Sequence, residues 1–335
     1  QLSSALLPFS LPKPKPKPKP KPNPDPNPAL RHASDGEAAW GRERGPGVWR
    51  AGGVAMGAVL STVVFQPPPP VYLSRHRIFW LSRHYHGGYD DIGYEIPAYF
   101  LDRGSNLTIL FSHGNAEDIG YSFSWFSELS QALGVNFMAY EYTGYGMARG
   151  RFAMRRPDLP RLEPSEEAVY GDVEAAFRWL TEVKGIPSEQ IILYGRSLGS
   201  GPSCYMAQKC AREGVKLAGL ILQSPLLSIY RVTFDFRFTL PGDFFANIDR
   251  IGEVEAPVFI IHGVDDPIVP FWHGQALLRA VSEPYRVKPM WVRGAGHNNI
   301  EVLLSLDRRL MPALREFFAK IRGMTLAEWL EESRN

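Results

Sequence analysis

A serine between two glycines carries the strongest chemical signal in the sequence. The segment GRSLG (195–199) follows the apolar run Ile191–Tyr194 and precedes a stretch with helical periodicity. A serine on a sharp strand-to-helix turn presents its hydroxyl above the sheet, at the positive end of the helix dipole. Glycines are needed on both sides because larger side chains would collide with the backbone of the turn. The pattern predicts that Ser197 is a nucleophile.

A nucleophilic serine needs a general base. On strand–turn–helix serines of this kind, the partners follow in the chain order serine, acid, histidine. Of the eight histidines, only His273 and His297 follow a plausible acid. We predict that His273 lies on a helix, whereas His297 follows a short apolar strand and a flexible GAG segment (294–296) that lets its ring reach Ser197. We therefore predict that His297 is the base.

Two adjacent aspartates compete for the role of the acid. Asp265 and Asp266 both lie in the segment HGVDDPIVP (262–270), directly after the apolar run Val258–Ile261. The acid must accept a hydrogen bond from the histidine, which fixes the tautomer and stabilises the imidazolium. The two side chains must point in different directions, and the spacing alone does not choose between them.

Acyl transfer also needs backbone N–H groups directed at the developing negative charge. Leu198, directly after the nucleophile, is predicted to supply one of them. The second is expected from the segment HGNA (113–116), which follows the apolar run Leu107–Phe111, and Asn115 is our choice. His113 is predicted to be structural.

The elements that must position these residues alternate along the chain. Apolar strands that alternate with helices predict a mostly parallel sheet covered on both faces, with ligands bound at the carboxyl ends of the strands. The predicted strands are Arg77–Leu81, Tyr94–Leu101, Leu107–Phe111, Val135–Tyr140, Ile191–Tyr194, Ala218–Leu222, Val258–Ile261 and Met290–Val292. The predicted helices are Glu166–Lys184, Leu198–Arg212, Trp272–Val281 and Ile300–Ile321.

Together these motifs resemble the α/β-hydrolase-domain-containing 17 family of protein depalmitoylases and their plant and fungal relatives. The resemblance covers about residues 56–321 and is carried by LFSHGNAEDIG (111–120), YEYTGYG (140–146), ILYGRSLGSGPS (192–203), ANIDRI (246–251), IIHGVDDPI (260–268) and GAGHNNIE (294–301). It implies an α/β-hydrolase fold with an eight-stranded sheet and a short lid. It also implies a Ser-His-Asp acyl-enzyme mechanism that hydrolyses S-palmitoyl groups of membrane-associated proteins. In the family pattern HGxxD the acid falls on Asp266.

The N-terminal part of the chain differs from animal members of that family, which carry a cluster of cysteines there; here no cysteine precedes Cys204. Alternating proline over residues 12–28 predicts an extended, solvated segment. The first methionine opens MGAVLS (56–61), which matches the myristoylation pattern at a true N-terminus. We expect that residues 1–55 lie upstream of the physiological start and that Gly57 is lipidated.

This interpretation divides the chain into four parts: a disordered segment over 1–55, an anchoring segment with a proline spacer over 56–76, the hydrolase domain over 77–323, and a tail over 324–335. Residues 67–70 are four prolines, which we expect to act as a stiff spacer that lifts the domain off the membrane. The enzyme is then expected at the cytoplasmic face of membranes, or in the cytoplasm without the lipid.

Composition limits the partners. Residues 1–55 hold five Lys and four Arg against two Asp and two Glu, so the remaining 280 residues sum to −3 although the whole chain is +2. The basic character belongs to the tail and gives no argument for nucleic-acid binding. No Cys/His cluster suggests a metal, and no cofactor is expected. Cys204 and Cys210 are predicted to be reduced thiols, since six residues of helix separate them by roughly 9 Å.

Two features leave alternatives open. The basic residues of the 147–164 loop either form a solvated loop or contact anionic lipid headgroups; they are Arg149, Arg151, Arg155, Arg156 and Arg161. The aromatic residues between the strands at 218–222 and 258–261 either line an acyl groove or pack against the sheet; they are Phe234, Phe236, Phe238, Phe244 and Phe245. The insertion itself is too short for a large helical cap.

The activity also has rivals. A lipase or lysophospholipase would use the same triad on small lipid esters, and a non-catalytic scaffold or receptor would keep only the fold. Intact residues at 197, 266 and 297 argue against the second rival. S-acylated membrane proteins or lipid esters are therefore the expected partners, together with the membrane surface.

Overall fold

The computed structural model of the chain describes residues 64–72, 77–84, 93–148, 163–234, 238–307 and 309–332. Gly57 and the five arginines predicted to face lipid lie outside these residues, as does Phe236. The described strands are β1 Phe79–His84, β2 Gly93–Leu101, β3 Thr108–Ser112, β4 Asn136–Tyr140, β5 Ile191–Arg196, β6 Gly219–Gln223, β7 Val258–Gly263 and β8 Met290–Val292.

The eight strands form one sheet in the order β1-β2-β4-β3-β5-β6-β7-β8. β2 pairs antiparallel with β1 and β4, and every other pairing is parallel. Every residue of β3 to β7 is buried, which explains their uninterrupted apolar runs: helices cover both faces of the sheet. The predicted eight-stranded α/β-hydrolase fold is confirmed, with strand ends shifted by up to three residues.

The described helices are α1 Phe123–Leu133, α2 Glu166–Arg178, α3 Ser200–Arg212, α4 Ile229–Thr233, α5 Trp272–Ala280, α6 Ile300–Asp307, α7 Leu310–Ile321 and α8 Leu326–Glu332. Helix α1 was not predicted from the sequence, although Phe126, Leu129 and Leu133 have helical spacing and are buried. Its serines and aromatics have modest helix propensity, so burial against the sheet stabilises it.

Two predicted helices end differently in the structure. α2 stops at Arg178, and a π-helical turn, Trp179–Val183, completes the predicted span. The predicted helix Ile300–Ile321 is divided into α6 and α7. Pro312 explains the division because it has no N–H for the carbonyl four residues earlier, and a proline is tolerated only in the first turn of a helix.

The predicted boundaries at both ends of the domain need correction. The proline segment is not a free spacer, because Phe65 and Tyr72 on either side of it are buried in the domain, with 3% and 6% exposure. The predicted tail contains α8, whose Trp329 ring packs edge-on against Phe318 of α7. Packing therefore extends beyond the predicted limits of 77 and 323.

Both cysteines lie on α3, buried and free. Burial raises the pKa of each thiol to about 12, so neither Cys204 nor Cys210 is a reactive thiolate at neutral pH. Within the described residues, no helix has both the length and the apolar composition needed to cross a bilayer.

Candidate active site

Ser197 lies on the strained turn that the glycine pattern predicts. Its φ is +51°, a left-handed conformation that side chains rarely adopt. A Cβ on Gly195 would lie 2.4 Å from the carbonyl oxygen of Gly199, and a Cβ on Gly199 would lie 2.0 Å from that of Ser112. Only glycine fits at both positions. Ser197 therefore lies on a tight turn between the end of β5 and the start of α3.

A buried polar network fixes the turn from below. The Ser200 hydroxyl donates to the Ser197 carbonyl oxygen at 2.6 Å and accepts from the side-chain amide of Asn247 at 3.0 Å. The Asn247 amide also donates to the carbonyl oxygen of Leu226 at 2.9 Å. The segments after β5 and β6 are therefore held together directly under the serine.

The three side chains predicted to form the triad are in hydrogen-bonding contact. Ser197 Oγ lies 2.8 Å from His297 Nε2, and His297 Nδ1 lies 2.7 Å from Asp266 Oδ2. They follow the carboxyl ends of β5, β8 and β7, where parallel strands bring distant parts of the chain to one edge of the sheet. With a proton on Nδ1, the ring donates to the carboxylate and accepts from the serine.

The carboxyl group of Asp266 is held in its charged form. Burial by itself would raise its pKa, but hydrogen bonding to His262 and His297 outweighs this and lowers the pKa below its usual range. The N–H groups of Ile268 and Val269 both donate to Asp266 Oδ1 at 2.9 Å. A carboxylate fixed in this way keeps Oδ2 directed at the imidazole.

The neighbouring Asp265 has a different role. It is exposed, and its Oδ2 accepts from the N–H of Gly294 at 2.9 Å, while its own N–H donates to the carbonyl oxygen of Ala295 at 3.0 Å. Asp265 thus holds the loop that precedes His297 and does not contact the ring. The geometry favours Asp266, as the family pattern implied.

His273 lies on α5, as predicted, and is fully buried, with both ring nitrogens in contact with backbone atoms of Leu227 and Arg231. Its Nδ1 accepts from the N–H of Leu227 at 3.0 Å, so this nitrogen carries no proton. Burial lowers the pKa of His273 to about 4, which keeps the ring neutral.

The segment predicted to form the oxyanion hole lies beside the nucleophile. A Cβ on Gly199 would lie 2.7 Å from the carbonyl oxygen of His113, so the loop after β3 packs directly on the serine turn. The Gly114 N–H is occupied, because it donates to Glu117 Oε2 at 3.1 Å. Among the described residues, the Asn115 N–H finds no acceptor, which leaves it available for a substrate oxygen.

His113 supports this loop from inside the domain. Its Nδ1 lies 2.8 Å from the carbonyl oxygen of Gly114 and its Nε2 lies 2.8 Å from Glu141 Oε1. Burial opposes a charge on the ring, but the Glu141 carboxylate outweighs it and the pKa of His113 is raised. His113 therefore pairs with Glu141 inside the domain and supports the loop, a structural position that agrees with the prediction.

Arg196, the residue between Gly195 and the nucleophile, was not among the predicted site residues. Its side chain is 8% exposed, and its Nη1 lies 2.8 Å from Glu117 Oε1 and its Nε 3.5 Å from Glu301 Oε1. Glu117 belongs to the oxyanion loop and Glu301 to α6, directly after the His297 loop. A cation at the variable position of GxSxG was the only signal in the sequence, and it names no partner.

The aromatic residues between β6 and β7 divide between two environments. Phe245 is fully buried and packs against Gly201 of α3, whereas Phe234 and Phe238 are 57% and 65% exposed. The part of this insertion that the structure describes contains one short helix, α4, and two 3-10 turns, Asn247–Asp249 and Ile251–Glu253. The described part therefore forms only a small lid near the triad.

The arrangement combines a strained serine hydroxyl, an imidazole positioned to take its proton, a fixed carboxylate and an unoccupied N–H donor. Such a set can carry out acyl transfer without a metal, and no group of three or more metal-binding side chains occurs within the described residues. The fold and the site together define an α/β hydrolase.

Comparison with known proteins identifies the family. The chain is 41% identical over 208 residues to alpha/beta hydrolase domain-containing protein 17C of Xenopus tropicalis. The match covers 62% of this chain, and it spans 61% of the length of that protein. It is 39% identical over 213 residues to human alpha/beta hydrolase domain-containing protein 17B, and this match covers 63% of this chain and 67% of that protein. The chain belongs to the alpha/beta hydrolase domain-containing protein 17 family, although no family model matches it.

Solved structures show the same fold at low sequence identity. An esterase of Pyrococcus furiosus superposes with a TM-score of 0.57 at 15% identity, covering 77% of this chain and 98% of the esterase. An alpha-beta hydrolase of Vibrio vulnificus superposes with a TM-score of 0.52 at 18% identity, covering 72% of this chain and 82% of that one.

Proposed function

We propose that the protein is a serine hydrolase that cleaves S-palmitoyl thioesters of membrane-associated proteins. The observation that carries the proposal is the continuous hydrogen-bond chain from Ser197 Oγ through His297 to Asp266. Membership of the 17 family supports the substrate class through the resemblance to depalmitoylases. The small described lid is compatible with a substrate attached to a protein, which a large cap would exclude.

Each group has a defined task in the proposed reaction. Ser197 Oγ attacks the thioester carbonyl carbon while His297 Nε2 takes the hydroxyl proton, and the N–H groups of Leu198 and Asn115 donate to the oxyanion. The intermediate collapses as His297 returns that proton to the cysteine sulfur, which leaves as a thiol. Water, deprotonated by His297, then attacks the acyl-serine, and the carboxylic acid departs as Ser197 Oγ regains its proton.

The test compares two substrate classes with the same purified protein. We expect Ser197-dependent release of palmitate from a palmitoylated peptide, with a kcat/KM well above that for a lysophospholipid. The Ser197→Ala variant is the control for both reactions. The opposite ranking would identify a lipase, and an absence of turnover and of fluorophosphonate labelling would identify a non-catalytic member of the fold.

We also propose that the protein is attached to the membrane surface through Gly57. The support is the pattern MGAVLS (56–61), whose Gly57 lies eight residues before the buried Phe65. One myristoyl chain gives only marginal, reversible binding, so the apolar residues up to Phe65 or the arginines of the 147–164 loop would have to add a second contribution. A chain started at Met56 should fractionate with membranes and incorporate myristate, and Gly57→Ala should abolish both. Equal myristate labelling of the variant would refute the anchor.

A further inference from the structure

The segment Val64–Tyr72, here called the strap, lies against the oxyanion loop, residues 113–120, at two separate points. Residues 64 and 66 contact Asn115 near the start of that loop, and residues 71 and 72 contact its end. The sequence suggested a passive spacer here. The contacts show instead that a segment from outside the α/β core spans the loop that carries the second oxyanion donor.

The first contact is a two-sided pairing of the Asn115 side chain with the strap backbone. Asn115 Nδ2 donates to the carbonyl oxygen of Val64 at 2.7 Å, and Asn115 Oδ1 accepts from the N–H of Gln66 at 3.0 Å. The amide therefore pairs with the strap as a peptide group pairs with a neighbouring strand. The hydroxyl of Tyr145 also donates to Asn115 Oδ1 at 2.6 Å, which fixes the orientation of the amide.

Between these two bonds, the Phe65 ring anchors the strap in the core. It packs edge-on against Tyr145 at 6.4 Å and against Phe245 at 6.0 Å between ring centroids. Phe245 in turn contacts Gly201 of α3, the helix that begins directly after the nucleophile. The strap is thus placed relative to Ser197 as well as to Asn115.

The second contact fixes the other end of the oxyanion loop. The N–H of Val71 donates to Asp118 Oδ2, and a Cβ on Gly120 would lie 2.6 Å from the backbone nitrogen of Tyr72. The buried Tyr72 hydroxyl accepts from the N–H of Met147 and is hydrogen-bonded to Glu141, the partner of His113. Both ends of the loop therefore have a strap contact.

The four prolines from Pro67 to Pro70 join the two contacts. Proline fixes φ near −65°, and a polyproline segment of this length spans roughly 12 Å with little freedom to bend or shorten. A stiff connection between two contact points restrains the distance between them, which a flexible one would not.

We propose that the strap is a positioning element of the oxyanion hole: it holds the Asn115 backbone N–H in place through the Asn115 side chain, with Pro67–Pro70 as a rigid strut. The inference rests on the proposed hydrolase function of Ser197, but not on the identity of its substrate. The strap does not touch the reacting atoms. We therefore expect its loss to weaken stabilisation of the oxyanion in the transition state, which lowers kcat more than it changes KM.

The decisive variant is Asn115→Ala, because it keeps the backbone N–H that would donate to the oxyanion and removes the pairing with the strap, together with the bond from Tyr145. We expect kcat for a short-chain p-nitrophenyl ester to fall by about 10- to 100-fold, somewhat less than the loss on removing a donor outright. KM should change less than about two-fold. The affinity for a trifluoromethyl ketone, which adds Ser197 Oγ to form a tetrahedral adduct, should fall in parallel with kcat.

Two further variants separate positioning from folding. Asn115→Asp keeps the acceptor for Gln66 and loses the donor to Val64, so it should lie between the parent and Asn115→Ala. Asn106→Ala changes an exposed asparagine before β3, at the opposite edge of the sheet, and should leave kcat at the parent value. The midpoint of thermal unfolding, measured for each, identifies any loss that comes from unfolding.

A double-mutant cycle tests the strut. Replacing Pro67, Pro68, Pro69 and Pro70 together by glycine leaves the residues of the oxyanion loop unchanged but removes the stiff connection. We expect kcat to fall several-fold. In that background Asn115→Ala should have a smaller effect than in the parent, because both changes relax the same restraint. The proposal is overturned if Asn115→Ala keeps the parent kcat and ketone affinity, or if the two losses simply multiply. A parent without Ser197-dependent ester hydrolysis would refute the proposed function instead.

Discussion

The two sides of Ser197 are built in different ways. On one side, His297 and Asp266 come from loops that directly follow β8 and β7, and bonds within and between these two neighbouring loops place them. On the other side, Asn115 is held by Val64 and Gln66, which are 51 and 49 residues away along the chain, and by Tyr145.

The two sides therefore differ in what fixes the positions of their reacting groups. Proton transfer needs side chains of the right type at strand ends, which short motifs supply. Stabilisation of the oxyanion needs a backbone N–H at a defined position, and at Asn115 the side-chain bonds that hold the residue come from segments distant along the chain. Variants on the two sides should therefore differ in how strongly they affect kcat.

The largest effect is expected for Ser197→Ala on the proton-transfer side. No other group can supply the alkoxide, so kcat should fall by about 10⁵-fold or more, and fluorophosphonate labelling should disappear. Retained labelling in the variant would show that another residue is the nucleophile.

Asp266→Asn should follow, with a loss of kcat of about 10⁴-fold, because the amide favours the wrong tautomer of His297. Asp265→Asn is the matched control one position away; it touches only the loop backbone at Gly294 and should cost a few-fold at most. Steady-state kinetics of the two purified variants decide the assignment, and the reverse ranking would contradict it.

Arg196 joins the two sides, so its replacement should have an intermediate effect. Arg196→Gln removes the cation beside Glu117, and should lower kcat by about 10-fold and the free energy of unfolding by about 3 kcal/mol. Arg196→Lys keeps the charge without the planar fork and should recover part of the loss. Arg212→Gln disrupts an exposed pair with Glu253 and should leave kcat unchanged. If Arg196→Gln and Arg212→Gln change kcat and the free energy of unfolding equally, Arg196 does not couple the oxyanion loop to the His297 loop.

The smallest catalytic effect is expected at His273, which serves stability. Its pKa is about 4 in the folded protein against about 6.5 when unfolded, so the unfolded chain binds a proton more readily in between. This contribution is present above pH 6.5 and lost as the pH falls towards 4, by up to about 3 kcal/mol. Denaturant unfolding measured at pH 7 and at pH 4 should show a weaker pH dependence for His273→Asn than for the parent, and an equal dependence would contradict this role.

The sequence predicted the proton-transfer side more completely than the oxyanion side. Ser197 and His297 follow from motifs after apolar strands, because a parallel sheet brings the carboxyl ends of its strands to one edge. The choice of Asp266 over Asp265 needed the family pattern, since neighbouring residues share a loop and only the folded backbone decides which carboxylate faces the ring. Asn115 was predicted for its backbone N–H, but no pattern in the sequence indicated the role of its side chain.

By itself, the sequence determined the eight strands, most of the longer helices, the serine turn and the types of the proposed reacting groups, because periodicity, glycine spacing and strand-end motifs are local properties of the chain. The tertiary structure decided what depends on contacts between distant residues. It turned the proline spacer into a strap across the oxyanion loop and placed Arg196 between Glu117 and Glu301. The physical reason is that a side chain's neighbours in space are set by the packing of the whole domain, so a proline run or a buried arginine has no assigned partner until the fold brings one to it.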